Sequence, residues 1–320
     1  MQIRFWGTRG SIPVAANGRV IREKIKRALL LAEGLRFGSQ EQVDRFIDES
    51  IEFPTKCGYG GDSSCIQILG GDDYMLCDMG SGLRRFGQHV ITEHGPQNPK
   101  VYHFFMSHLH WDHIMGFPFF QPAYIPGNII HIYGGHTVEV MKDAFRRQQS
   151  SPCFPVYWDQ LGADIHFTQL KENQWHEING FRIKLRGQEH HGGSFGYRIE
   201  KSGKALVYST DAEHKLDNDK NTAGILDFYR NADLVIFDAM YSLADMITIK
   251  EDWGHSSNII GVDLCLRARV KHYCMFHHEP AYNDEDLFKI LQETRRYEEI
   301  VREALPLEIS TAYDDMVIDL

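Results

Sequence analysis

The chain has 320 residues and a mass of 36.9 kDa, with 42% apolar and 24% charged residues. That composition is near the average for a globular protein and excludes a disordered or collagen-like chain. Thirty-four Lys and Arg against 44 Asp and Glu leave a net charge of −10 and a pI near 5.9, which argues against a general nucleic-acid binder, because duplex affinity comes largely from neutralised phosphates. An acidic chain can still hold metal cations, and the 17 histidines are the first hint of such chemistry.

In chain order, Met1–Phe5 reads as the start of a strand rather than a signal peptide, so the expected compartment is the cytoplasm. Short β-rich runs bounded by turn residues follow at Ser64–Leu69, Tyr74–Cys77, Val101–Met106, Ile129–Tyr133 and Phe181–Leu185. Further runs are Phe195–Ile199, Ala205–Tyr208, Leu234–Phe237 and His272–Phe276, and helical patterns cover Val138–Gln149, Ile259–Arg267 and Glu285–Ala304. Early hairpin-like strands followed by strand–helix alternation predict an α/β sandwich of mixed sheets.

Residues 14–57 stand apart as a helical-hairpin insertion in a single domain spanning 1–320. Ile21, Ile25, Ala28, Leu29, Ala32 and Leu35 recur at helical spacing, and Gly34 and Gly38 mark a break. Ser39 with Gln42 three residues on reads as a capping box opening a second, acidic helix that carries Val43, Phe46, Ile47 and Ile51. An amphipathic pair must bury its stripe somewhere. Either it packs on the surface, or it serves as a lid or as a subunit contact in a homo-oligomer. The most apolar stretch, Ile114 to Tyr133, is interrupted by Pro118, Pro122 and Pro126 and is no membrane span. Six cysteines without a C-x-x-C pair read as reduced, mostly buried thiols.

The chemistry concentrates at Ser107-His108-Leu109-His110-Trp111-Asp112-His113, an H-x-H-x-D-H pattern leaving an apolar strand. In an extended exit His108 and His110 project to one side, and a turn brings back Asp112 and His113. Imidazole nitrogen and carboxylate oxygen suit Zn²⁺, and also Mn²⁺ or Fe²⁺. A two-metal site needs more ligands, and the candidates sit after later apolar runs: Glu189-His190-His191, Thr210-Asp211, Gly254-His255 and His277-His278.

These segments resemble the metallo-β-lactamase-fold hydrolase superfamily, and more narrowly its phosphodiesterase and ribonuclease Z-like branch. Supporting motifs are Phe5–Pro13, Tyr59-Gly60-Gly61-Asp62-Ser63-Ser64-Cys65, Cys77-Asp78-Met79-Gly80-Ser81-Gly82, the extended His108–Phe120 segment, Tyr208–His214, Asp238 and His277-His278-Glu279-Pro280. The likeness covers residues 1–13 and about 58 to 320. It implies a four-layer αβ/βα sandwich of two mixed sheets flanked by helices, and two divalent metal ions. His108, His110 and His190 would hold one, Asp112, His113 and His277 the other, and Asp211 would bridge both together with a hydroxide. His190 is favoured over His191, and His277 over His278. Asp78 would orient a ligand histidine from behind. His255, assisted by Asp238, would protonate the leaving group, so the resemblance names Asp112, Asp211 and His255 as catalytic.

The expected function is a dinuclear metal-dependent phosphodiesterase acting on a small substrate such as a cyclic nucleotide. Nucleic acid is a less favoured partner, since a transfer-RNA processing nuclease of the ribonuclease Z type would carry a basic arm. A lactone or thioester hydrolase and a metal-retaining binding module without turnover are also compatible with these residues. Gly58–Gly61 and Gly80–Gly82 read as tight turns beside the metals or as phosphate cradles. Trp111, Phe117, Phe119 and Phe120 read as base-stacking residues or packing aromatics.

Overall fold

The computed structural model describes residues 1–215, 219–242 and 253–320. Its first sheet holds β1 (Gln2–Gly7), β2 (Cys65–Leu69), β3 (Tyr74–Cys77), β4 (Val101–Met106), β5 (Ile129–Gly134), β6 (Asp164–Gln169) and β14 (Val317–Asp319), in the order β14-β1-β2-β3-β4-β5-β6. The second holds β7 (Trp175–Ile178), β8 (Phe181–Gln188), β9 (Ser194–Lys201), β10 (Lys204–Ser209), β11 (Leu234–Asp238), β12 (His272–Phe276) and β13 (Glu308–Thr311), in the order β13-β12-β11-β10-β9-β8-β7. Both are mixed: antiparallel through β1–β2–β3 and β7–β8–β9–β10, parallel through β3–β4–β5–β6 and β10–β11–β12–β13.

Side-chain alternation builds the layers. Because successive residues of a strand point to opposite faces, Leu206, Tyr208, Leu234, Ile236, Cys274 and Phe276 meet Ile3, Phe5, Ile66, Ile68, Met75 and Phe105 of the other sheet in one central core. Their neighbours Val207, Val235, Phe237, Tyr273 and Met275 face outward and are covered by α7 (Asp219–Tyr229), α8 (Asn258–Arg267) and α9 (Asp284–Val301). On the far side Leu76, Tyr102, Phe104, Ile130 and Ile132 lie under α4 (Gly82–His94) and α6 (Val138–Gln148). Burial on both faces explains why these strands read as continuous apolar runs. The result is the four-layer α/β/β/α sandwich.

Between β1 and β2 lie α1 (Gly18–Leu31), α2 (Gln40–Ser50) and the short α3 (Phe53–Lys56). The side chain of Asn17 caps α1 by accepting from the Arg19 and Val20 amides. Ser39 precedes α2 but its side chain makes no capping bond; Gln42 Oε1 instead accepts the Gly38 amide at 2.7 Å. Neither bond of the expected capping box forms, because Gly38 lies one residue before the cap. Neither α1 nor α2 buries a residue, and α1 is tied to the rest by Lys24–Asp284 and Arg27–Glu285 ion pairs. All six cysteines are free thiols, with Cys65, Cys77, Cys265 and Cys274 buried. Among the described residues no helix is long and apolar enough to cross a membrane.

Candidate metal centre

The chemistry gathers at the carboxyl ends of strands from both sheets, where loops leave side chains free to converge. Asp78 follows β3, Ser107 and His108 follow β4, His190 follows β8, Asp211 follows β10, Asp238 ends β11 and His277 follows β12. After β4 the chain stays extended to His110 and then makes a single helical turn, α5 (Trp111–Ile114), which returns Asp112 and His113 to the cluster. Asp78, Asp211 and His277 have φ of 59°, 47° and 61°. This left-handed region is sparsely used by non-glycine residues, costs about 1–3 kcal/mol each, and collects at functional sites.

Two groups of candidate ligands form around one shared carboxylate. His110 Nδ1 and His190 Nε2 lie 3.1 Å apart, with His108 in the same group. In the second group Asp112 Oδ2 is 3.3 Å from both His113 Nε2 and His277 Nε2. Asp211 divides its oxygens between them. Oδ1 is 3.2 Å from His113 Nε2 and 3.3 Å from His277 Nε2, whereas Oδ2 is 3.6 Å from His108 Nε2 and 3.7 Å from His190 Nε2. The edge of a tetrahedron with metal–nitrogen bonds of 2.0–2.1 Å is about 3.3 Å, so these separations fit a cation at the centre of each group. His108 Nε2 is buried and has no hydrogen-bond partner among the described residues, as expected of a ligand atom.

Electrostatics points the same way. Burial opposes ionisation of Asp211, yet His277, His113 and His108 hold its carboxyl well below the usual range. Asp112 is likewise held down, by His113 and His277 against its burial. Burial also lowers His108, His110 and His190, which keeps them in the neutral form that coordinates metal. Burial works against the charge of His113, but Asp211, Asp112 and Asp78 together raise it; the centre favours positive charge.

A second ring of contacts orients the first. His113 Nδ1 is 2.8 Å from Asp78 Oδ2, which also accepts from Ser107 Oγ and Tyr208 OH at 2.7 Å each. The Gly254 carbonyl takes His190 Nδ1 at 2.7 Å, and Ser11 N–H donates to Asp112 Oδ2 at 2.8 Å. Such partners fix tautomer and ring orientation. An added Cβ would lie 2.6 Å from His277 Cε1 at Gly10 and 2.7 Å from His190 Nδ1 at Gly254, so both positions require glycine.

His190 and His277, rather than their neighbours, enter the cluster. His191 is exposed, and His278 turns its Nε2 to the Ala312 carbonyl at 2.8 Å, where burial pushes its pKa down to about 3. His255 stands beside both groups, its ring centroid 5.1 Å from those of His190 and His277. Its Nδ1 meets Asp238 Oδ2 at 2.8 Å. Burial alone would lower His255, but Asp238, with Asp211 and Asp112 beyond it, pushes the pKa up to about 9.

The glycine segments are tight turns. An added Cβ would come within 2.3 Å of the Val14 carbonyl at Gly61, 2.6 Å of the Asp112 carbonyl at Gly80 and 2.4 Å of the Trp6 carbonyl at Gly82; the chain's own backbone fills the space a phosphate would need. The aromatic group divides. Phe117 and Phe120 are fully buried, whereas Trp111 is 63% and Phe119 55% exposed, and those two line a cavity of ≈ 680 Å³ that opens beside His108 and His110. Sequence reasoning gave no role to Ser107 or to the Tyr208 hydroxyl, whose shared target Asp78 is 29 and 130 residues away in the chain.

Residues 74–278 match the family model described as a beta-lactamase superfamily domain. Ribonuclease Z of Archaeoglobus fulgidus is 22% identical over 308 residues, covering 78% of this chain and 92% of that one. Ribonuclease Z of Staphylococcus saprophyticus is 30% identical over 141 residues, so the match spans only 42% of that relative. Similar solved structures include YhfI of Bacillus subtilis (TM-score 0.64, 16% identity, 99% of this chain and 98% of that one) and yeast PDE1 (0.61, 14%, 100% and 99%). A third is Zn²⁺-bound PqqB of Methylobacterium extorquens (0.61, 13%, 100% of both). The chain therefore belongs to the beta-lactamase superfamily and has the metallo-β-lactamase fold.

Proposed function

We propose that the protein is a dinuclear metal-dependent phosphodiesterase of the cytoplasm acting on a small substrate such as a cyclic nucleotide, with residues 1–320 as one domain and 14–57 as an insertion in it. The observation that carries this reading is Asp211, whose two carboxylate oxygens face two separate sets of histidines. His108, His110 and His190 would hold one ion, Asp112, His113 and His277 the other, and Asp211 both, with Zn²⁺ the ion their nitrogen-rich donor set suits. When bound, a pair of such ions acidifies water toward neutral pKa and neutralises charge on phosphoryl oxygens.

The chain's own residues do the rest. Asp78 and the Gly254 carbonyl keep the His113 and His190 rings aimed into the site. Asp238 occupies His255 Nδ1, which leaves Nε2 for a substrate oxygen. With a pKa of about 9 the imidazole is protonated at neutral pH, so it can give its proton to the leaving alkoxide. Asp112 and Asp211, both held ionised, accept hydrogen bonds from the attacking water.

The ribonuclease Z-like reading, a nuclease acting on transfer-RNA precursors, is the competing one, and the names of the sequence relatives favour it. The net charge of −10 and the mixed-charge insertion in place of a basic arm favour the small substrate. The deciding experiment offers metal-loaded protein cyclic nucleotides and a transfer-RNA precursor side by side. Turnover of the cyclic nucleotide with the precursor left intact supports the proposal; precursor cleavage alone overturns it.

A further inference from the structure

The cavity beside the candidate metal centre has a wall that the hydrolytic chemistry does not use. Trp111 occupies the variable position of H-x-H-x-D-H, between His110 and Asp112. Its two neighbours in the helical turn, Asp112 and His113, point into the cluster and are buried, while the indole stands 63% exposed over the cavity. Phe119, 55% exposed, lines the same space and packs edge-on against Phe154, with ring centroids 5.5 Å apart and planes at 90°. Pro118 and half-exposed Val140 extend the apolar surface. A large exposed indole beside an exposed phenyl group is uncommon on a surface with no occupant to bury them.

The one cation of the lining is already paired, whereas His136 Nε2 and Gln148 Oε1 are buried without a hydrogen-bond partner among the described residues. Arg147 is engaged by Asp143 one helical turn away, and Gln148 donates its amide to the Ile114 carbonyl at 2.9 Å. A phosphate track would need a row of free cations, and Arg147 is the one Lys or Arg in the lining. The side of the centre also matters. The cavity opens past His108, His110 and Gly192, whereas His255 is not part of its lining and stands by His190 and His277. An ester arm seated in the cavity is therefore not the arm that His255 reaches.

We infer that this cavity is a specificity pocket in which Trp111 and Phe119 stack on an uncharged, planar aromatic group of the phosphodiester, attached to phosphorus through the ester bond that is not cleaved. The inference rests on the hydrolase reading above and names the substrate class for it. Aromatic faces take planar groups by stacking without regard to hydrogen-bonding pattern, so the pocket selects for an aryl or nucleobase arm and against an alkyl one.

Calorimetric titration of metal-loaded protein with 4-nitrophenylphosphonate and with methylphosphonate reads the pocket without turnover. The aryl compound binds about tenfold more tightly to the wild type, and Trp111→Ala and Phe119→Ala each remove most of that preference while methylphosphonate binding stays the same. Both side chains are exposed, so neither variant threatens folding. In turnover, the KM for bis(p-nitrophenyl) phosphate rises about tenfold in Trp111→Ala, the KM for methyl p-nitrophenyl phosphate changes less than twofold, and Trp111→Phe restores most of the loss. Equal affinity of the wild type for the two phosphonates, or equal KM changes for the two esters, overturns the pocket. An aryl preference in binding without hydrolysis of either ester supports the pocket and instead overturns the hydrolase reading.

Discussion

Two regions of this protein reverse the usual relation between hydropathy and burial. In the segment between β1 and β2, helices with strong apolar periodicity bury nothing, and Ile21, Ile25 and Leu29 are 50%, 56% and 67% exposed. At the strand ends, Asp78, His108, Asp112, His113, Asp211, Asp238, His255 and His277 are all buried, although charged and imidazole groups are rarely so unless partnered. The difference lies in how each region is held. Every ionisable group of the cluster is held by a carboxylate, hydroxyl, carbonyl or imidazole neighbour, most of them from a strand end. Helix α1 is tied on by the partly buried Lys24–Asp284 pair and by Arg27–Glu285, an exposed pair worth about 0–1 kcal/mol. Burial here follows chemistry rather than apolarity.

Substitutions at the two regions sharpen that contrast. The largest effect expected is at His255. His255→Ala keeps its metal content and loses about 10²–10⁴-fold in turnover, and Asp238→Asn, by removing the carboxylate that raises the imidazole pKa, moves the alkaline limb of the pH–rate profile to lower pH. Normal turnover in His255→Ala ends its assignment as proton donor. Next comes His214, buried against Tyr229 and lowered by that burial to about 4. Since the unfolded chain binds this proton near pH 6.5 and the folded chain only near 4, the unfolded state holds more protons as pH falls. Stability is then lost between about 6.5 and 4 and unaffected above, amounting to about 3 kcal/mol. Urea unfolding of chelator-treated wild type and His214→Gln at pH 7 and pH 4.5 reads this as a smaller pH-dependent loss in the variant; identical losses remove His214 from the account. The smallest effect is in the helices. Ile25→Glu should change stability by no more than about 0.5 kcal/mol, measured by the same unfolding, and a loss of several kcal/mol would mean that α1 is covered in solution.

The same contrast decides what was legible in the sequence. Strand runs such as Tyr74–Cys77, Val101–Met106 and His272–Phe276 were readable to the residue, because burial on both faces makes them continuous. β6 and β7, which alternate and lie at or near sheet edges, and the short β13 and β14 carry little apolar signal. Helix α4 begins within the glycine segment Gly80–Gly82 and was hidden by it. The candidate ligands were visible because metal chemistry demands particular residue types, local in H-x-H-x-D-H and recognisable elsewhere through resemblance. Ser107 and Tyr208 were not, since nothing local marks a serine or tyrosine whose partner is placed by the fold. The Ser39 capping box misled because, on a helix that buries no residue, Gln42 Oε1 reaches past the Ser39 amide to accept from Gly38.

The central claim is that Asp211 joins two metal sites. Elemental analysis of purified wild type and Asp211→Ala after equilibration with Zn²⁺ tests it directly. The expected result is two equivalents per chain for the wild type and fewer than one for the variant. A wild type that takes up none, or an Asp211→Ala protein that keeps both, would contradict it.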